Sequence, residues 1–337
     1  MKAYRIYEMK GIDGLRLDDL PRPEPGPGEI RIRVRAVSLN YRDLLVINGL
    51  YSKGLPLPLI PCSDGAGEVD AVGPGVATIK PGDRVAGCFF ADGWIDGPPR
   101  EAAGKSALGG AVDGMLVEER VLPAAGVVPI PAHLTFEEAS TLPCAAVTSW
   151  HGLVDSGRLR PGESVLVQGT GGVSLFGLQF AKMSGARVIA TSSHDEKLQR
   201  VKDLGASDGI NYKTTPEWGK AVLALTGGAG VDHVVEVGGA GTLGQSLKAV
   251  KVGGHVAMIG VLTGAGEAAV TPILMKNVRV QGIYVGSRAM FEDMNRAIGL
   301  HKLRPVVDRV FPFAEARDAY AHLASGGHFG KVVIRVG

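Results

Sequence analysis

Two kinds of hydrophobic spacing divide this chain. Over residues 29–36, Ile30, Ile32 and Val34 alternate with Arg31, Arg33 and Arg35, and this period of two predicts a strand with one face in the core and one in water. Shorter segments of the same kind recur at 67–72, 83–88 and 115–122, punctuated by Pro-Gly and Gly-Pro turns. Residues 94–114 hold five glycines and two prolines with little periodicity, and are read as a long loop. The pattern changes near Thr135. Residues 165–167, 188–190, 234–237 and 256–259 are short apolar runs of the kind buried on both faces of a parallel sheet. Helical stretches at 175–183 and 196–204 lie between them, closed by Gly185 and Gly205. Strand and helix in alternation predict an α/β fold, a doubly wound Rossmann sheet. Beyond Gly286 the pattern holds one further helix, 313–324, and a final strand, 331–336. The expected organisation is a mostly-β domain over 1–145, a dinucleotide-binding domain over 146–286, and a return of 287–337 to the first domain.

Length supports this division, since 337 residues exceed what one core usually organises. The 49 glycines and 20 prolines follow no period, which indicates numerous turns and not disorder. A formal net charge of +2 with cations and acids interspersed leaves no basic stripe for nucleic acid. The apolar runs are too short to span a bilayer. The N-terminus runs straight into a strand pattern with no signal segment, so the cytoplasm is the expected location. Three widely spaced cysteines, Cys62, Cys88 and Cys144, with no CxxC pair, fit a reducing compartment and exclude a four-cysteine zinc site.

The sharpest chemical signal follows the run 165–167. Gln168-Gly169-Thr170-Gly171-Gly172-Val173-Ser174 stands between a strand and a helix, the setting of a dinucleotide fingerprint. Gly169 permits the tight turn, and Gly171 and Gly172 let the backbone approach a pyrophosphate at the helix N-terminus. Ser174 replaces the third glycine. The alternative is a glycine-rich turn with no ligand. At the end of the next strand, where an NAD enzyme carries an acid for the ribose hydroxyls, the chain has Thr191, Ser192 and Ser193, with Lys197 beyond. That favours NADPH over NADH, with Lys197 pairing the 2′-phosphate; a solvated helix position is the plainer reading of Lys197.

Pro81-Gly82-Asp83-Arg84-Val85, residues 165–174 and Phe329-Gly330-Lys331-Val332-Val333 together resemble the medium-chain dehydrogenase/reductases, most closely their quinone oxidoreductase and zeta-crystallin-like branch. The resemblance runs essentially the full length and implies a GroES-like catalytic domain interrupted by a Rossmann domain. In zinc-dependent members, catalytic metal is held by three protein ligands. The matching positions here are Asn40, Ser63-Asp64 and Cys144, of which only Cys144 is a usual ligand, so no metal is expected. By the same resemblance Asn40 and Tyr51 line the nicotinamide pocket; Arg42 is a further candidate donor to the substrate oxygen, with a structural role for Tyr41 and Arg42 as the alternative. Thr148 lies near the nicotinamide, Lys197 and Tyr212 near the adenosine phosphate, and Gly260, Val261, Leu262 and Lys331 make further cofactor contacts. Asp43 serves either the site or its own turn. Cys144 is expected to be a packed thiol, and His151 structural, since no carboxylate partner accompanies it.

The expected activity is zinc-independent, NADPH-dependent hydride transfer to a quinone, enone or other small carbonyl compound. A metal-free alcohol dehydrogenase and a non-catalytic NADPH-binding protein are the alternatives. Residues 275–284, with Val278, Val280 and Gly282 alternating against Arg279, Gln281 and Ile283, are expected to form a sheet edge that pairs with a second copy in a homodimer. The alternative is an edge guarded by Lys276 and Arg279.

Overall fold

The computed structural model describes residues 1–52, 54–92, 94–264, 266–267 and 270–337, arranged as two compact units: Met1–Val147 with Gly286–Gly337, and Thr148–Val285. In the first unit the alternating segment becomes the strand Glu29–Leu39, and Ile30, Ile32 and Val34 are buried as the alternation predicts. The opposite face is drier than expected. Arg31 is also buried, because its guanidinium reaches Asp70, Glu24 and the Pro23 carbonyl, and a charge leaves water only with such partners. From Ala36 to Leu39 every residue is buried. The strand lies in a seven-stranded sheet in the order Val307–Pro312, Lys331–Arg335, Glu29–Leu39, Asp64–Val72, Arg84–Gly87, Val127–Pro129, with Glu119–Pro123 paired alongside it.

The second unit is a sheet of six parallel strands, ordered Asp208–Asn211, Arg187–Ser192, Ser164–Gln168, Val231–Glu236, Val250–Met258, Arg279–Gly282. The chain winds outward from Ser164–Gln168 to one edge, then returns to start the other half at Val231–Glu236. Order therefore reverses between these two strands, the point at which open α/β sheets take their ligands. Gln168 and Glu236 end the two strands and are joined across the reversal, Gln168 Nε2 donating to Glu236 Oε2 at 2.7 Å. Glu236 is fully buried yet well satisfied. It accepts from the backbone N–H groups of Gly238 and Gly239 and from the hydroxyls of Thr242 and Ser246, so a carboxylate ties the turn after the strand to the helix Ala240–Ala249. Beside it, a side chain at Gly260 would place a Cβ 1.8 Å from the Val237 carbonyl oxygen, so only glycine fits there.

Several segments depart from the pattern. Beyond Gly286 the chain forms the helix Arg288–His301 and the strand Val307–Pro312 as well as the expected helix and last strand. Within 115–122 only Glu119–Pro123 is regular strand. The 94–114 stretch carries a short helix, Glu101–Gly104, and Ala103, Ala107 and Leu108 are buried. Residues 275–284 do supply a sheet edge, but the strand is only Arg279–Gly282, and Met275 closes the preceding helix Thr271–Met275. Among the described residues, no helix is long and apolar enough to cross a membrane.

Candidate active site

Strand register assembles a polar cluster in the first unit. Glu29–Leu39 ends at Asn40, which starts the helix Tyr41–Ile47. Val332 pairs with Leu39 on one side, and Asp64 pairs with Ser38 on the other. These two antiparallel pairings bring Lys331 and Asp64 to either flank of Asn40. Lys331 Nζ donates to Asn40 Oδ1 at 2.5 Å and to the Leu39 carbonyl at 2.7 Å. Lys331, expected as a cofactor contact, is buried, and these two bonds hold its ammonium at the end of Glu29–Leu39. Asn40 Nδ2 is buried without a well-formed hydrogen bond.

The turn after Asn40 adds a second layer. Asp43 Oδ2 accepts the Asn40 backbone N–H at 2.8 Å, a helix-capping role that answers the open question about this acid. The Arg42 guanidinium lies over the rings of Tyr51 and Phe89, 4.6 and 4.7 Å from their centroids, and Nη1 donates to the Leu108 carbonyl at 2.7 Å. Its Nε and Nη2 lack an acceptor in good geometry. Ser63 Oγ donates to Asp64 Oδ1 at 2.7 Å, and the Cys144 N–H to Asp64 Oδ2 at 3.2 Å. Asn40, Ser63 and Cys144 thus gather around one buried carboxylate. Ahead of them Cys62 adopts a φ of 70°, uncommon for a side-chain-bearing residue. The 94–114 loop packs on this turn through glycine: a Cβ at Gly114 would lie 2.1 Å from the Cys62 carbonyl oxygen, and one at Gly110 2.3 Å from Arg42 Nη2.

Burial dominates the protonation of this cluster. Asp43 is raised from 3.8 to about 6 by desolvation, opposed by Arg42 and the Asn40 N–H. Asp64 is raised by burial and held down chiefly by Lys331, then by the Asn40 amide and the Ser63 hydroxyl. Burial also pushes the thiols of Cys62 and Cys144 up, which favours the protonated thiol over the nucleophilic thiolate.

In the other unit, the glycine turn fits a dinucleotide. Gly169 needs its glycine for backbone reasons, with φ at 72°. Gly171 does not: its φ is −79°, and a Cβ there would meet no atom within 4 Å. A glycine there leaves the backbone open on that side, the property that the fingerprint uses for close approach of a phosphate. Gly172 and Val173 open the twelve-residue helix Gly172–Met183, directing N–H groups and a positive dipole end to the same place. Ser174, in place of the third glycine, donates its hydroxyl to the Gln168 carbonyl at 2.5 Å. Gly177 provides the close helix–strand approach, where a Cβ would be 3.3 Å from Val167. Thr148 is buried, and the hydroxyl of its neighbour Ser149 donates to the Val173 carbonyl at 2.5 Å.

At the end of Arg187–Ser192, Ser192 is buried, Ser193 is half-buried with Oγ 2.8 Å from His194 Nδ1, and the Tyr212 N–H donates to the Ser192 carbonyl at 3.0 Å. Asp195, the first acid beyond, accepts a hydrogen bond from Asn211 at 2.8 Å. Lys197 is half-buried on the following helix, while Tyr212, Val261 and Leu262 are exposed. His151 Nδ1 meets the Val285 carbonyl at 2.7 Å. The Gln168–Glu236 link escaped sequence reasoning, although a polar residue ending each of two apolar strands was visible.

Residues 26–132 match the alcohol dehydrogenase GroES-like domain and residues 172–299 the zinc-binding dehydrogenase family. A zinc-type alcohol dehydrogenase-like protein of Schizosaccharomyces pombe is 46% identical over 98% of this chain and 97% of its own length. The chain belongs to the medium-chain dehydrogenase/reductase superfamily. A quinone oxidoreductase of Rattus norvegicus is 29% identical over 99% of the chain and 97% of its own length. The crystal structure of an NAD-dependent alcohol dehydrogenase superposes with a TM-score of 0.91 at 38% identity, covering all of both chains. As a member of this superfamily, the protein is an NAD(P)-dependent oxidoreductase.

The cluster predicts a pH signature for this reductase-like domain. A carboxyl that holds its proton more tightly when folded contributes stability below its unfolded pKa, and that contribution is lost as pH rises through the folded pKa. For Asp43 the window is 3.8 to about 6. The stability of wild type minus that of Asp43→Asn, from urea unfolding, should fall by on the order of 3 kcal/mol between pH 4 and pH 7. A difference that stays flat, or rises, would refute the buried-acid assignment.

Proposed function

We propose that the protein is a zinc-independent, NADPH-dependent reductase of quinones, enones or related small carbonyl compounds. The observation that carries this reading is the polar cluster at Asn40. Zinc requires basic, deprotonated donors in a tetrahedral set. Here Asn40 Oδ1 is engaged by the Lys331 ammonium, the Ser63 hydroxyl is committed to Asp64, and the Cys144 thiol is pushed up by burial. That set does not fit a catalytic zinc, and among the described residues no group of three or more His, Cys, Asp or Glu could hold a metal. What the cluster does present is N–H groups, and these suit negative charge developing on a substrate oxygen. Asn40 Nδ2 is the principal donor, with Tyr51 and Arg42 beside it. Hydride chemistry belongs to the nicotinamide; the protein's share is orientation and field.

A quinone or enone suits such a site better than an alcohol. Reduction of a conjugated acceptor puts charge on an oxygen that hydrogen bonds can stabilise, whereas oxidation of an alcohol must also remove a hydroxyl proton, and the carboxylates of the cluster, Asp43 and Asp64, are already engaged by the Asn40 N–H and by the Ser63 hydroxyl and the Cys144 N–H. NAD-dependent alcohol dehydrogenation is the second reading, favoured by the names of the relatives. Purified without added metal and assayed with a chelator present, the protein should oxidise NADPH with quinones or enones, and Asn40→Ala should lower kcat by on the order of a hundredfold. Turnover of alcohols alone, or a full equivalent of zinc lost together with activity, would overturn the proposal.

NADPH is preferred over NADH in this reading because Ser192 and Ser193 end the strand where an acid would repel a 2′-phosphate, and Asp195 is occupied by Asn211. Lys197 would pair with the phosphate, a charge-assisted contact of about 1.5–3 kcal/mol. Lys197→Ala should therefore weaken NADPH roughly ten- to a hundredfold and leave NADH nearly unaffected; equal losses for the two would sink the role given to Lys197.

The homodimer follows from the edge strand Arg279–Gly282. The two cations that could have guarded it are committed elsewhere: Lys276 Nζ donates to the carbonyls of Leu247, Lys248 and Val250, and Arg279 to that of Ser156. Leu274 and Met275 beside the edge are more than three-quarters exposed. An unguarded edge with apolar neighbours suits two-fold pairing with a second copy. Sedimentation equilibrium at micromolar concentration should give twice the 35.1 kDa chain mass; a single species at the chain mass would contradict it.

A further inference from the structure

We propose that Lys331 is a positioning residue that acts through Asn40, fixing the orientation of its amide so that Nδ2 is the group offered to the substrate oxygen. The inference rests on the reading of Asn40 as that donor. The two ends of an amide side chain are nearly identical in shape, and only their partners decide which way the group faces. An ammonium has three donors and no acceptor, so the Asn40 atom 2.5 Å from Nζ is the oxygen. The same Nζ holds the Leu39 carbonyl, one residue back along the chain. The side chain of Asn40 is thus tied to the end of its own strand, and rotation about its terminal bond would bring N–H groups against a cation. Across the amide stands Asp64, whose carboxylate favours the N–H end. Ammonium and carboxylate both select one flip state, and the pairings of Val332 with Leu39 and Asp64 with Ser38 keep them in place.

Lys331 needs no contact with cofactor or substrate for this. It is 3% exposed, and its charge offsets the buried acids Asp43 and Asp64, on both of which it acts. In a cluster without metal, it supplies the fixed positive charge around which the polar groups arrange themselves.

A double-mutant cycle in the full-length protein tests the role. Lys331→Met, Asn40→Ala and the double variant are compared by kcat and KM for 1,4-benzoquinone, by the dissociation constant for NADPH from nucleotide fluorescence, and by Tm. Misplacing a reacting group is worth on the order of a hundredfold in rate, so Lys331→Met should lower kcat by about that factor with NADPH affinity unchanged. In the Asn40→Ala background the same substitution should cost nothing further. Lys331→Arg, which keeps the charge, should recover part of kcat. If Lys331→Met does not fold, the cycle is run with Lys331→Arg, whose smaller loss should likewise vanish without Asn40. Losses that multiply in the double variant overturn the positioning role while leaving Asn40 as donor. NADPH binding weakened roughly tenfold would make Lys331 a cofactor contact and also overturn it. An Asn40→Ala variant with undiminished kcat overturns the donor reading itself, and the positioning role falls with it.

Discussion

The candidate active site depends on one constraint: four charged side chains, Arg42, Asp43, Asp64 and Lys331, are buried within a few residues of one another along neighbouring strands and the helix that follows. Isolated charge does not stay in a protein interior. Each of these groups is retained because the others are present, and strand register is what makes them present. A slip of one residue in either pairing of Glu29–Leu39 would turn Lys331 or Asp64 to the opposite face of the sheet, leaving an unpaired charge in the core. Register, helix start and polar cluster therefore specify one another. The capping of Tyr41–Ile47 by Asp43 and the cation–π stack of Arg42 between Tyr51 and Phe89 are local consequences of that arrangement.

The nucleotide unit solves a different problem by a different route. It places uncharged backbone, not side-chain charge, at its working surface. Gly169, Gly171 and the first turn of Gly172–Met183 present N–H groups, and the buried acid Glu236 accepts hydrogen bonds from Gly238, Gly239, Thr242, Ser246 and Gln168.

Much of this was legible in the sequence. The parallel sheet could be read because its strands are short apolar runs between helices closed by glycine, and because the fingerprint stands between a strand and a helix. Ser174 and Gly177 show why a departure from the fingerprint is harmless: one residue bonds the preceding strand, the other admits it. The helix Arg288–His301 escaped notice because its apolar positions, such as Phe291, Met294 and Ile298, stand among charged neighbours and a glycine. The edge strand was placed correctly but drawn too long, since alternation continues through residues outside the regular ladder, which is Arg279–Gly282. Asn40, Arg42 and Tyr51 were singled out by resemblance, and the structure does bring Arg42 onto Tyr51. Lys331 bonds Asn40, a contact that the sequence did not foretell. Its partner is 291 positions away, and spacing within a motif carries no information about which strand its side chain will meet.

The Gln168–Glu236 link also bears on the thermodynamics of nucleotide capture. Gln168 holds the N–H groups of Val237 and Gly238 through its side-chain oxygen and receives the Ser174 hydroxyl on its backbone carbonyl. The segments on both sides of the strand reversal are therefore immobilised by folding itself. Ordering a backbone residue costs about 1–2 kcal/mol, and for these residues that loss of freedom has occurred before any ligand arrives. Association then draws on contacts alone, with little entropy left to surrender.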